Sequence, residues 1–200
     1  MNAMQKFERR VGGRWTGVTF HQGAIPDGRL AEEPMKFCEA IKASSTAPIV
    51  LTRELMSCPG ALRSFGWNTD DDAALVEKMT AITGLGKQDA VKMIREVPCI
   101  QDTPTAITVG DYASPQVLVS YAQPEAVMHL IYEWQRLTGS TVEIILSSIL
   151  AACGWVTAGA HVKRAFSLSF GCPESRKACA IGNDRLIVGL PAQFAEQLAG

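Results

Sequence analysis

Two Cys-Pro dipeptides, Cys58-Pro59 and Cys172-Pro173, constrain the structure of this chain more than any other feature of its sequence. Each dipeptide follows a β-like run and opens a predicted helix, because proline suits the first turn of a helix. Each also has an arginine a few residues downstream and a second cysteine at a similar distance upstream. The pattern predicts a cysteine unit that is used twice, in two pseudo-repeated halves of one fold.

The two units together contain four cysteines and two arginines. They are Cys38, Cys58, Cys153 and Cys172, with Arg63 and Arg176. A cysteine at a helix start lies at the positive end of the helix dipole, beside backbone N–H groups that lack partners, and both effects favour the thiolate. We therefore expect the four thiols to meet at the junction of the two halves. The two guanidinium groups would stabilise the thiolates or hold an anion.

Four thiolates from distant segments predict a metal or iron–sulfur cluster site. Soft thiolate ligands select iron–sulfur clusters, zinc or copper(I). The spacing lacks the tight Cys-x-x-Cys of zinc ribbons and ferredoxins, so the site must be assembled by the fold. We rank an iron–sulfur cluster first, in a redox or cofactor-handling role, and zinc second. Buried structural cysteines without any metal are the competing interpretation, because free cysteine is among the most buried residue types.

The hydrophobic pattern predicts an α+β fold, with a mixed or antiparallel sheet and packed helices. Predicted strands cover residues 15–20, 49–52, 106–109, 116–121, 161–170 and 185–190. Predicted helices cover residues 35–43, 60–65, 69–82, 87–96, 124–137, 142–156, 173–179 and 191–198. Residues 1–200 are expected to form one domain, with a helical hairpin inserted at about 67–104.

Composition and charge exclude several classes of protein. The net charge of −1 and the charged fraction of 20% oppose a broad nucleic-acid or membrane-surface interaction. The N-terminal residues lack the apolar stretch of a secretory signal, and the most apolar segment, Ile144 to Val156, is too short to span a bilayer. We therefore expect a cytoplasmic protein with reduced cysteines and no membrane association. The oligomeric state stays open, a homodimer included.

Several segments resemble the domain-of-unknown-function family 169 (DUF169). They are Phe37-Cys38-Glu39-Ala40, Ser57-Cys58-Pro59-Gly60-Ala61, Ser167 to Cys172 with Arg176, and Asp184 to Pro191. The resemblance covers nearly the whole chain and is weakest at about residues 67–104. This prokaryotic family has no established activity, so the resemblance supports the grouping of the cysteines and implies no reaction.

A cysteine-based enzyme or thiol switch is the main alternative. Cys172 would attack and Cys179 would resolve, with Arg176 holding the thiolate or an anionic substrate. No obvious general base accompanies these residues. Outside this alternative, we interpret Cys99 and Cys179 as incidental. The partners expected from either chemistry are a redox protein or a small molecule.

Two further interpretations concern binding without cysteine chemistry. Residues 82–94 resemble a helix–hairpin–helix element, in which backbone N–H groups meet a phosphate. The acidic run Asp70-Asp71-Asp72 and the net charge oppose nucleic-acid binding, so a structural αα-hairpin is favoured. Trp15, Trp67, Trp134 and Trp155 are candidates to line a ligand pocket, but large aromatic side chains far more often fill cores.

Overall fold

An antiparallel sheet of six strands forms the centre of the fold, and the computed structural model describes residues 3–68, 72–110 and 113–199. In chain order the strands are Trp15–His21 (β1), Ile49–Thr52 (β2), Ala106–Val109 (β3), Val117–Ala122 (β4), Ser167–Ser169 (β5) and Leu186–Pro191 (β6). They lie side by side in the order β2-β3-β1-β4-β6-β5, and each neighbouring pair is antiparallel. The α+β class is confirmed with a purely antiparallel sheet, whereas the two pseudo-repeated halves are not confirmed.

Helices cover both faces of this sheet. In chain order they are Ala3–Val11 (α1), Phe37–Ala43 (α2), Pro59–Ser64 (α3), Ala73–Thr83 (α4), Lys87–Glu96 (α5), Pro124–Thr138 (α6), a π-helix at Ala151–Ala158, Gly159–Lys163 (α7), Pro173–Cys179 (α8) and Ala192–Ala199 (α9). Within the described ranges, no helix has the length and apolar character needed to cross a membrane.

The side chains of the strands alternate between two hydrophobic cores. Along β4, Val117 and Val119 pack into the core beneath α2 to α5 and the π-helix. Leu118, between them, packs into the core beneath α1, α6 and α9. Because both faces are covered, the strands are buried along most of their length, and this accounts for their nearly continuous apolar sequences.

Two predicted elements differ from those in the structure near the C-terminal half of the sheet. The strand predicted at His161–Phe170 is wrong for most of its length, because His161 belongs to α7 and β5 is only three residues long. Arg164 ends α7 in the left-handed region, at φ 49°. Helix α1 was not predicted, and it contributes the buried Phe7 to the second core.

The helix predicted at Val142–Val156 is also wrong over its first half. Val142 and Ile144 pack against one core, while Ile149 and Leu150 are buried in the other, so this segment passes from one face of the sheet to the other. A continuous helix cannot follow that path. Leu150 adopts a left-handed conformation at φ 45°, and the π-helix begins at the next residue.

The predicted helix start before α4 lies partly outside the described residues. The helix predicted over residues 69–82 would start within residues 69–71, which lie outside the described residues. Helix α4 begins at Ala73, with Asp72 at its N-cap position, and ends at Gly84 in the left-handed region at φ 72°. Helices α4 and α5 contact each other, and the helical hairpin insertion at about 67–104 stays a prediction.

Candidate functional site

A cavity of about 70 Å³ lies between α2, α3, the π-helix and α8, and its lining includes the four cysteines singled out in the sequence. Cys38 lies in α2, Cys153 in the π-helix, and Cys58 and Cys172 at the N-caps of α3 and α8. The four residues are distant in the sequence. They converge because these helical segments pack on the same face of the sheet.

The wall of the cavity is mainly apolar, and its charged residues form one cluster. Lys36 Nζ lies 2.5 Å from Glu174 Oε2, and Lys78 Nζ lies 3.8 Å from Glu174 Oε1. All three side chains are about one-third exposed and line the cavity together with the cysteines. The two lysines outnumber the single carboxylate, so this cluster has a net positive charge beside the thiols.

Cys58 is the thiolate of this site. The hydrogen bond from the Cys153 thiol is the main cause that lowers the pKa of Cys58, and it brings the value to about 6 against the opposing effect of burial. The backbone N–H groups of Ala61 and Gly60, at the start of α3, and the positive charge of Lys78 add to the effect. Cys58 is therefore largely deprotonated at neutral pH, which makes it both a metal ligand and a nucleophile.

Cys153 is the protonated member of this pair. Its hydrogen bond to Cys58 and its burial in apolar surroundings both raise its pKa well above the ordinary value. The close approach of α3 and the π-helix depends on two glycines. A Cβ on Gly60 would lie 3.1 Å from Leu150 Cγ, and one on Gly154 would lie 2.9 Å from Ser64 Oγ and press on Val97. These glycines let the two cysteines meet.

Cys172 is held by a capping box at the start of α8. Its Sγ accepts a hydrogen bond from the Ser175 backbone N–H at 3.3 Å, and its own N–H donates to Ser175 Oγ at 3.0 Å. This reciprocal arrangement satisfies the first backbone groups of the helix. It also explains locally why a Cys-Pro dipeptide begins a helix here, since Pro173 occupies the first turn.

Comparison with protein families finds a match over most of the chain. A family model described as an uncharacterised ArCR family, domain of unknown function 169 (DUF169), matches residues 17–200. The chain belongs to the DUF169 family. No curated protein and no solved structure shows a significant match to it. The family assignment therefore supports the sequence-based resemblance and leaves the activity of this DUF169 protein open.

The thiols pair differently from the units expected in the sequence. Cys38 was expected with Cys58, and Cys153 with Cys172, but the hydrogen-bonded thiol pairs are Cys58 with Cys153 and Cys38 with Cys179. The sequence interpretation left Cys179 out as incidental. No local pattern marked Cys179 as the partner of Cys38, because their contact arises from the packing of α8 against α2.

The two predicted arginines have other contacts. Arg63 Nε lies 3.3 Å from Asp72 Oδ1, while Arg176 donates to the carbonyl groups of Gly182 and Arg185, both at 3.2 Å. Stabilisation of thiolates or an anion by these arginines stays a prediction. Lys78, which the sequence analysis did not single out, is a cation that lowers the pKa of Cys58 in this DUF169 protein.

No three His, Cys, Asp or Glu side chains within the described ranges form a group that would hold a metal ion. The four cysteines therefore line the same cavity, but they do not form a ready set of ligands around one point. Cys99 is outside this cavity, with its thiol donating to the Arg63 carbonyl at 3.1 Å. Trp15, Trp67 and Trp155 are buried in the cores and do not line the cavity.

Proposed function

We propose that this DUF169 protein binds a soft metal centre, an iron–sulfur cluster in the first place, through Cys38, Cys58, Cys153 and Cys172, in a redox or cofactor-handling role. The observation that carries the proposal is that four cysteines from four separate helical segments line one cavity. Burial of a single free cysteine is common in cores, so the shared cavity, and not the burial of each thiol, supports the proposal.

The chemistry of the cavity supports a soft, positively charged centre. Cys58 already carries negative charge at neutral pH, so one ligand needs no deprotonation before binding. The apolar wall excludes water, and Lys36 and Lys78 offset the negative charge that several thiolates bring. Soft thiolate sets select iron–sulfur clusters, zinc or copper(I).

A cluster and a single ion place different demands on the positions of the sulfurs. A single zinc ion requires every sulfur at about 2.3 Å from one point. In a cluster the cysteines bind different iron atoms, so the sulfurs lie further apart. The described residues contain no three-ligand group, so either centre would require the cysteine side chains to move.

Anaerobic purification tests this proposal directly. The protein is prepared without oxygen, or the apoprotein is treated with ferrous iron and sulfide. Iron, sulfide and zinc are then quantified per chain, and the visible spectrum is recorded. We expect stoichiometric iron and sulfide with a thiolate-to-iron charge-transfer band. Cys58→Ser and Cys153→Ser should lose the band. Cys99→Ser is the matched control, because that thiol lies outside the cavity, and it should keep the band. A folded protein that takes up neither iron nor zinc would contradict the proposal.

A second candidate function is dithiol redox chemistry at the same cavity, favoured by the hydrogen bond between Cys58 and Cys153. A thiolate next to a protonated thiol is the arrangement of an attacking and a resolving cysteine. The structure gives this relationship to Cys58 and Cys153, whereas the sequence suggested Cys172 and Cys179. Formation of a Cys58–Cys153 disulfide in metal-free protein, detected by peptide mass spectrometry, would support this candidate.

A further inference from the structure

A cleft of about 460 Å³, separate from the four-cysteine cavity, lies between α7, the start of α9 and the loop before β3. The two sites share none of their described lining residues. We propose that this cleft binds a small basic amino acid, a molecule that carries one carboxylate and two cationic groups. Such a site requires neither a metal nor a cysteine, so it goes beyond the proposed function.

The size and the apolar part of the cleft suit a ligand of this class. Small-molecule sites in proteins are usually clefts of about 300–1,000 Å³ with a largely apolar lining. The buried residues of this lining are Ile100, Ala160 and Ala192. Their side chains offer an apolar surface to the methylene chain of a basic amino acid, whereas the charged residues of the lining are exposed.

Charged side chains of both signs line the cleft without pairing with one another. Arg164 carries the positive charge, and Asp102 and Glu196 carry the negative charges. Among the residues that the structure describes, none of these three side chains has an ion-pair or hydrogen-bond partner. Opposite charges that face one cleft and stay apart are complementary to a ligand that carries both signs. Two carboxylates and one guanidinium match a ligand with two cationic groups and one carboxylate.

The backbone beneath the two carboxylates is held in place. In the loop before β3, the Ile100 N–H donates to the Ser64 carbonyl at 2.9 Å, and the Gln22 side-chain amide donates to the Asp102 carbonyl at 2.8 Å. Glu196 lies on α9, which packs into the second core. Because the backbone at both positions is already ordered, binding requires only the side chains to adjust.

Arg164 occupies a backbone position that glycine usually takes. It ends α7 in the left-handed region, at φ 49° and ψ 40°. Helices that end in this conformation commonly have glycine there, because a Cβ atom is unfavourable in it. A long cationic side chain at such a position is typical of a residue with a function, since strained backbone clusters at ligand sites. This observation is independent of the charge pattern and points to the same side chain.

His161 contributes an uncharged hydrogen-bonding group to the cleft. Its ring lies against Phe20, with 4.7 Å between the ring centroids. Burial is the main cause that lowers the pKa of His161, the positive charge of Arg164 lowers it further, and Asp102 opposes both effects. The ring is therefore uncharged at neutral pH, with one nitrogen as donor and the other as acceptor. An uncharged histidine does not repel the cationic groups of the ligand.

Calorimetric titration of the full chain with L-lysine, the probe for this class of ligand, tests the site. Two comparison compounds each lack one charged group. L-Norleucine lacks the side-chain ammonium of lysine, and 1,5-diaminopentane keeps both ammonium groups but lacks the carboxylate. We expect L-lysine to bind about tenfold more tightly than either compound, because each of them loses one charge-assisted hydrogen bond.

Substitutions in the cleft assign the contacts. Arg164→Gln should weaken the binding of L-lysine about tenfold and should not weaken that of 1,5-diaminopentane, since only the carboxylate loses its partner. Asp102→Asn and Glu196→Gln should each remove most of the advantage of L-lysine over L-norleucine. Arg9→Gln and Glu143→Gln are the matched controls, because both side chains are exposed outside the cleft, and they should bind L-lysine unchanged. Near-UV circular dichroism verifies that each variant is folded.

Two results would overturn the assignment of this cleft. One is a folded protein that binds L-lysine no more tightly than both comparison compounds, or does not bind it at all. The other is a folded Arg164→Gln variant in which L-lysine and 1,5-diaminopentane are weakened equally, since the arginine would then have no contact with a carboxylate. Cys58→Ser, which removes a proposed metal ligand, should bind L-lysine as the unsubstituted protein does, so this site and the metal site are tested separately.

Discussion

The thiols of Cys58 and Cys153 are hydrogen bonded to each other, although they come from distant parts of the chain. The contact divides the pair into a thiolate at the start of α3 and a protonated thiol inside the π-helix. π-Helices are rare and frequently occur at functional sites. Because the two thiols differ in protonation, the reactivity of each one can be measured separately in metal-free protein.

The pH dependence of Cys58 alkylation is the first prediction. Because its pKa is lowered to about 6, Cys58 should react with iodoacetamide at a constant rate above that pH and progressively more slowly below it. Cys153→Ala removes the main stabilising hydrogen bond, so the midpoint should move up towards the ordinary thiol value of about 8.5. Peptide mass spectrometry measures the rate at each pH. If the alkylation midpoint of the unsubstituted protein lies near the ordinary thiol value, the Cys58 thiolate is not stabilised.

Lys78 and Arg63 should have separable effects. Lys78→Met removes the positive charge that lowers the pKa of Cys58, so the alkylation midpoint should rise. Arg63→Met should leave that midpoint unchanged and lower the free energy of unfolding by about 1–3 kcal/mol, because Asp72 loses its partner in a largely buried ion pair. Urea denaturation measures the second effect. A shifted midpoint in Arg63→Met would restore the role that the sequence suggested for this arginine.

Tyr121→Phe should slow the alkylation of Cys179 at neutral pH. Hydrogen bonds from the Cys38 thiol, and then from the Tyr121 hydroxyl, lower the pKa of Cys179, so loss of the hydroxyl leaves less thiolate. Tyr132→Phe is the matched control, since Tyr132 is 60% exposed on α6 and should leave the rate unchanged. Equal rates in all three proteins would mean that the tyrosine does not act on this thiol.

Gly154→Ala should destabilise the contact between α3 and the π-helix. The added Cβ would lie 2.9 Å from Ser64 Oγ and 3.2 Å from Leu150 Cβ, and would press on Val97. Overpacking of this kind costs about 1–3 kcal/mol, which a shift in the urea midpoint would report. Gly86→Ala is the control, because its Cβ would meet only Asp89 at 3.7 Å. Equal stability of the two variants would show that the contact relaxes without strain.

Most elements of the fold were predictable because their signals are local. Helix α5 has the predicted bounds Lys87–Glu96, and β2 and β3 lie where their apolar runs placed them. The segment before the π-helix was not predictable, because its apolar residues serve two different cores on opposite faces of the sheet. A periodicity argument assumes one buried face for each element, and that assumption fails where the chain crosses between layers.

The candidate site was predictable as a set of residues but not as a set of contacts. Cys58 and Cys172 begin helices as expected, since a cysteine before a proline is a local signal. The partners of these cysteines depend on which helices pack together, and that follows from the sheet order. Cys179 and Lys78 were missed for this reason, because neither carries a distinguishing local pattern.

The sequence by itself determined most of the secondary-structure elements, the family and the four cysteines of interest, because short-range patterns and helix-start chemistry need no knowledge of distant residues. Only the tertiary structure decided that Cys58 meets Cys153 and that Cys38 meets Cys179. The physical reason is that thiol pairing and thiolate pKa values depend on burial, on nearby charges and on hydrogen bonds, all of which arise when separate helices pack on one face of the sheet.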